Sequence, residues 1–117
     1  MVAKRGDRVA PPPKADEWEL VFGNSEAANG WEELTRQAPG PTRDAFDAIS
    51  KDPRDTARLG RQHRLQGSLG VIRVAGEELQ QWQYEVTAGG RVWYCVDDKR
   101  RRVVLTYAST RHPKATE

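Results

Sequence analysis

Glu85 and Arg91 flank the Ala88, Gly89 and Gly90 of WQYEVTAGGRVWY. A glycine turn between two runs of aromatic and β-branched residues folds a chain back on itself, so a carboxylate and a guanidinium come close together across one hairpin. Further on, Thr110, Arg111, His112, Pro113 and Lys114 leave the last apolar run within reach of the same sheet. These side chains are of the types that move protons and hold anions. A guanidinium fork fits two oxygens of a phosphate, and imidazole changes charge near neutral pH.

The elements that must position these groups lie in residues 80–115. Trp82, Tyr84 and Val86 alternate with Gln83, Glu85 and Thr87, the two-residue period of a strand with one buried face. Residues 91–96 form a second run, Asp97, Asp98 and Lys99 a turn, and residues 102–108 a third run rich in Val, Leu and Tyr. A three-residue first turn pairs Thr87 with Arg91. Glu85, Arg91 and Trp93 then share one face, with Trp82, Tyr84 and Val86 on the other. A two-residue Gly-Gly turn would swap the faces of the second strand.

Upstream, residues 1–16 read as a disordered basic tail, because Lys4, Arg5, Arg8 and Lys14 surround Pro11, Pro12 and Pro13 with almost nothing to join a core. The folded domain is expected over residues 17–117. Trp18, Leu20 and Phe22 alternate as a first strand that ends at Gly23. Asn24 or Ser25 caps a helix whose apolar positions are Ala27, Ala28, Trp31 and Leu34, weakened by Gly30 and stopped by Pro39, Gly40 and Pro41. Thr42 caps a second helix with Ala45, Phe46 and Ile49 on its stripe. The two helices form a hairpin that anchors Trp31 and Phe46 against the sheet. Residues 54–61 read as a loop, HRLQGSL as a short strand entering the meander, and residues 71–78 as either a loop or a small hairpin. Together they give an α+β domain with two N-terminal helices packed on a small antiparallel sheet.

At 117 residues the chain holds one core, and with 31% charged residues its net charge is only +2. From Arg91 onward it carries seven cations, of which Lys99, Arg100, Arg101 and Arg102 are consecutive, a run that also serves as a solvated strand edge. No apolar run is long enough to span a membrane and no apolar signal core opens the chain, so a cytoplasmic location is expected. Cys95 is the single cysteine and falls within a strand, which excludes an internal disulfide and a cysteine zinc site and marks it as a core residue.

In this order and spacing, LQGSLG (65–70), WQYEV with GGRVWY (82–86 and 89–94) and STRHPKA (109–115) resemble the RelE/ParE superfamily of type II toxin-antitoxin toxins, nearest the RelE/HigB-like branch. The resemblance covers nearly everything but the tail. It implies a β-α-α-β-β-β plan and a ribosome-dependent endoribonuclease that cuts mRNA, inhibits translation, and needs neither metal nor cofactor. Its partners would be mRNA, the ribosome and a cognate antitoxin. Such cleavage proceeds by attack of a 2′-hydroxyl on the adjacent phosphate, which takes a base, cations for the phosphorane and a proton for the leaving 5′-oxygen. By resemblance the catalytic residues are Glu85 as base, Arg91 and Arg111 as phosphate clamps and His112 as acid. Arg64, Lys114, Arg100 and Arg101 would add phosphate contacts. ParE-like relatives poison DNA gyrase instead, and a non-catalytic interaction protein is the other alternative on this fold.

Overall fold

Asn24 marks the point where strand gives way to helix. Its side-chain oxygen accepts from the Ala27 N–H at 2.7 Å, and its amide donates to the Thr106 carbonyl at 3.0 Å, so one side chain caps a helix and ties it to a strand 82 residues away. The computed structural model describes residues 3–55, 57 and 60–111. The elements are β1 (Glu19–Phe22), α1 (Ser25–Gln37), α2 (Pro39–Lys51), β2 (Gln62–Arg64), a 3₁₀ turn (Gly67–Leu69), β3 (Val71–Val74), β4 (Glu77–Glu85), β5 (Arg91–Asp97) and β6 (Arg102–Ser109).

Helix α2 begins three residues before the expected cap at Thr42. The first turn of a helix leaves its N–H groups unpaired in any case, so Pro39 and Pro41 cost it nothing there. Ala38 alone links the two helices, its N–H bonded to the Leu34 carbonyl and its carbonyl accepting from Thr42. Thr42 is a buried residue of the second turn.

The sheet runs β1-β6-β5-β4-β2, with β3 also on β4. It is mixed, not antiparallel as expected: β1 lies parallel to β6 (Glu19↔Arg102 to Phe22↔Leu105), and the remaining ladders are antiparallel. Five strands follow the helices, so the β-α-α-β-β-β order is too short. The stretch 71–78 resolves as the hairpin of β3 and β4, turning through Ala75 and Gly76 at φ 51° and 84°. Two successive positive φ values match the twist of paired strands.

Residues 1–16 were expected to be a disordered tail, and the described part of that segment is not. Gly6 donates to the Phe22 carbonyl, Phe22 to the Asp7 carbonyl and Val9 to the Leu20 carbonyl, at 2.7 to 2.9 Å. The segment thereby covers the outer edge of β1, and Val9 sits in the core at 1% exposure. The physical reason is the edge itself, whose unpaired N–H and C=O groups outweigh a proline-rich composition.

One face of the sheet packs on both helices through Leu20, Phe22, Trp82, Tyr84, Tyr94 and Leu105, among others, against Trp31, Leu34, Phe46 and Ile49. Each such aliphatic or aromatic side chain contributes about 1.5–3 kcal/mol on burial. No helix among the described residues is long and apolar enough to cross a membrane.

Candidate acid–base site on the helix-free face

The ladder between β4 and β5 pairs Glu85 with Arg91, Gln83 with Trp93 and Gln81 with Cys95. The turn is longer than three residues: Val86 donates to the Gly90 carbonyl at 2.9 Å, and residues 86–90 form the loop. The pairing is two residues away from Thr87↔Arg91, and a shift of two leaves every side chain on its expected face. Glu85, Arg91 and Trp93 therefore share the face that carries no helix.

Arg91 Nη2 lies 3.5 Å from Glu85 Oε2, the arginine side chain almost covered and the glutamate one-third exposed. Arg91 Nη1 donates to the carbonyls of Thr87, Ala88 and Gly90 at 2.9, 3.2 and 3.0 Å, and its buried Nε has no partner among the described residues. This guanidinium shapes the β4–β5 loop and holds the Glu85 carboxylate in place; it is not laid open for a phosphate.

Two strands away, β6 reaches the same end of the sheet, with Ser109 opposite Arg91. Arg111 follows, exposed, its N–H on the Ser109 hydroxyl at 3.0 Å. Glu85 and Arg91 thus share one end of one face, and Arg111 follows β6 at that end. Arg64 does not join them: it pairs with Trp82, and strand alternation turns it to the opposite face, where it is exposed. Arg100 and Arg101 stand at the far end of β5 and β6. Arg100 bonds Asp97 at 2.9 Å, which holds its charge beyond the ordinary arginine range, and lies 3.6 Å from Glu77. Arg101 packs over the Trp18 ring at 4.8 Å. His112 and Lys114 lie outside the described residues.

His63 was given no role by sequence. It sits opposite Gln83, on the face of Glu85, with Nε2 3.4 Å from the Gln83 amide nitrogen and Nδ1 3.0 Å from the Arg64 carbonyl. Gln83 in turn accepts from Trp93 Nε1 at 2.8 Å, and Trp93 packs on Tyr107 with ring centres 4.7 Å apart. The register of β2 on β4 creates this group, and periodicity within either strand does not disclose it.

Towards the β3–β4 hairpin the same face deepens into a groove of roughly 670 Å³ lined by Val21, Ile72, Trp93, Val104 and Tyr107, with Arg73 and Arg102 among its charged residues. Arg73 lies 3.8 Å from Glu78, and Arg102 shares Glu19 with Arg8, at 3.1 and 3.0 Å. Cys95 is buried on this face, and desolvation pushes its thiol up to about 12, which removes it as a nucleophile near neutral pH. Among the described residues, no three His, Cys, Asp or Glu side chains come together as metal ligands. Comparison of the chain with protein-family models, with characterised proteins and with solved structures gives no significant match.

Proposed function

We propose that this chain is the toxin of a type II toxin-antitoxin system, a metal-independent endoribonuclease that cuts mRNA on the ribosome in the cytoplasm and is held inactive by a cognate antitoxin. The observation that carries the reading is the Glu85 carboxylate, held by Arg91 at 3.5 Å on the helix-free face, at the end of the sheet where β6 runs out to Arg111. Glu85 takes the proton of the attacking 2′-hydroxyl. Arg111 meets the phosphorane charge, with Lys114 beside it in sequence, and His112 returns a proton to the 5′-oxygen. Arg91 acts through Glu85 as a positioning residue.

A second reading, a gyrase-inhibiting or non-catalytic binding protein of the same plan, is favoured by the commitment of Arg91 to three backbone carbonyls. One experiment separates the two. The chain is induced in a bacterium while protein and DNA synthesis are labelled separately and mRNA 5′ ends are mapped. Translation arrest with new cuts inside translated messages, abolished by Glu85→Gln and Arg111→Ala, is expected. Replication arrest with intact messages would transfer the function to the second reading.

A further inference from the structure

His63 is bonded at both ring nitrogens, and the bonds can be assigned. The Arg64 carbonyl only accepts, so Nδ1 carries a hydrogen and donates to it at 3.0 Å. Trp93 Nε1 only donates, so Gln83 turns its oxygen to the indole at 2.8 Å and its NH₂ to the histidine. Gln83 then donates to Nε2 over 3.4 Å, a loose contact that a substrate can displace. Nδ1 keeps its hydrogen in either charge state, and the proton that comes and goes is the one on Nε2, on the helix-free face. Glu85 follows Gln83 by two residues on β4 and so lies diagonally across from His63. Such diagonal neighbours stand roughly 7–8 Å apart at the backbone.

We infer that His63 is the second acid–base residue of this face, with Gln83 and Trp93 as its positioning residues and the ribose-phosphate of an RNA strand as the group it acts on. The inference rests on the nuclease reading and reassigns its acid from His112. The Glu85 carboxylate takes the 2′-hydroxyl proton as the 2′-oxygen forms its bond to phosphorus. The bond from phosphorus to the 5′-oxygen breaks, and that oxygen takes the proton from Nε2 of the His63 imidazolium. The products are a 2′,3′-cyclic phosphate and a 5′-hydroxyl, and the proton on Glu85 returns to His63 through solvent. Once Nε2 has given up its proton, the Gln83 N–H donates to it. The charged groups at this end are Glu85 and Arg91 on the paired strands, Arg111 beyond β6, and Arg61. The Arg61 carbonyl accepts from the Glu85 N–H at 2.7 Å, and Arg61 lines a cavity with Glu85 and with Asp44, Asp47 and Lys51 of α2.

The test uses the full chain with ribosomes and a translated message, scoring cleavage rate against pH, together with imidazole ¹⁵N spectra of the free protein. His63→Gln should lower the rate at least 100-fold and flatten the limb of the pH profile that reports loss of an acid. His112→Gln should leave that limb in place. Gln83→Leu should lower the rate about tenfold with a shifted limb, and the parent spectrum should show the tautomer with hydrogen on Nδ1. Rates within threefold of the parent for His63→Gln, with a native amide spectrum, would overturn the role of His63 and leave the nuclease reading standing. A hydrogen on Nε2 in the neutral ring would overturn the positioning network. Absence of cleavage by the parent chain would overturn the nuclease reading and this role with it.

Discussion

Gly30 of α1 lies directly against the backbone carbonyl of Ala108 in β6, so close that a Cβ at position 30 would overlap the oxygen. The contact lets the helix settle on the sheet where Ala28, Trp31 and Leu34 bury their side chains. By helix propensity alone, alanine at this position would gain about 1 kcal/mol. Packing decides the sign. Gly30→Ala should destabilise the chain by about 1–3 kcal/mol as the helix is pushed off β6. Chemical denaturation of the two proteins checks it.

Val9 distinguishes a packed segment from a solvated one. Its side chain is in the core while its N–H bonds to Leu20 on β1. Val9→Ala should cost about 1–2 kcal/mol from lost apolar burial. Ala10→Gly, at an exposed neighbour, should cost much less. Equal melting temperatures for the two variants would show that the segment leaves β1 in solution.

Arg91 and Arg111 should fail in different ways. Arg91→Ala strips three carbonyls and Glu85 of a buried donor and should cost about 2–4 kcal/mol. Arg91→Lys keeps the charge without the fork and should recover only part of that loss. Arg111→Ala should leave stability within about 0.5 kcal/mol while abolishing the proposed growth arrest. Paired denaturation and growth-arrest assays resolve the two.

Cys95 should be silent to thiol reagents in the native protein. Burial pushes its thiol from the ordinary 9.0 up to about 12, and burial also raises Tyr94. Both groups are neutral in the folded chain and ionise more readily once it unfolds. Their contribution is therefore complete below about pH 9 and falls away as pH climbs towards the folded values. Labelling at pH 8 should follow the unfolding transition in denaturant, and the melting temperature should drop between pH 8.5 and 10.5.

How much was legible follows from what each sequence signal measures. The apolar stripes of α1 and α2 and the Asn24 cap are local properties, and the structure reproduces them. The alternation of β4 assigns its faces, but Gln81 and Gln83 are buried as well as Trp82 and Tyr84, so the strand does not have one buried face alone. Face sharing by Glu85, Arg91 and Trp93 needed only the parity of the loop, and it survived a loop longer than expected. Registers between distant strands are not local. The parallel pairing of β1 with β6, the edge contact of residues 6–9 and the placement of His63 beside Gln83 each depend on where a second segment lands. Ala75 at positive φ hid the β3–β4 turn, since the usual signature there is Asn or Asp before Gly. The fate of Arg91 was hidden for another reason. Its acceptors are backbone carbonyls, which every sequence supplies.

The position of β6 sets a timetable. Among the described residues the last strand in chain order is an interior strand of the sheet, held between β1 and β5 and lying under α1. A chain still lacking residues 102–109 leaves β1 without its ladder and the core face of α1 uncovered. Contacts that join the two ends of a chain are slow to form and form late. The elements before β6 therefore stay unassembled until residues 102–109 have been made. A chain that stops before β6 lacks the strand that pairs with Arg91 and so does not present the Glu85 site in its native setting.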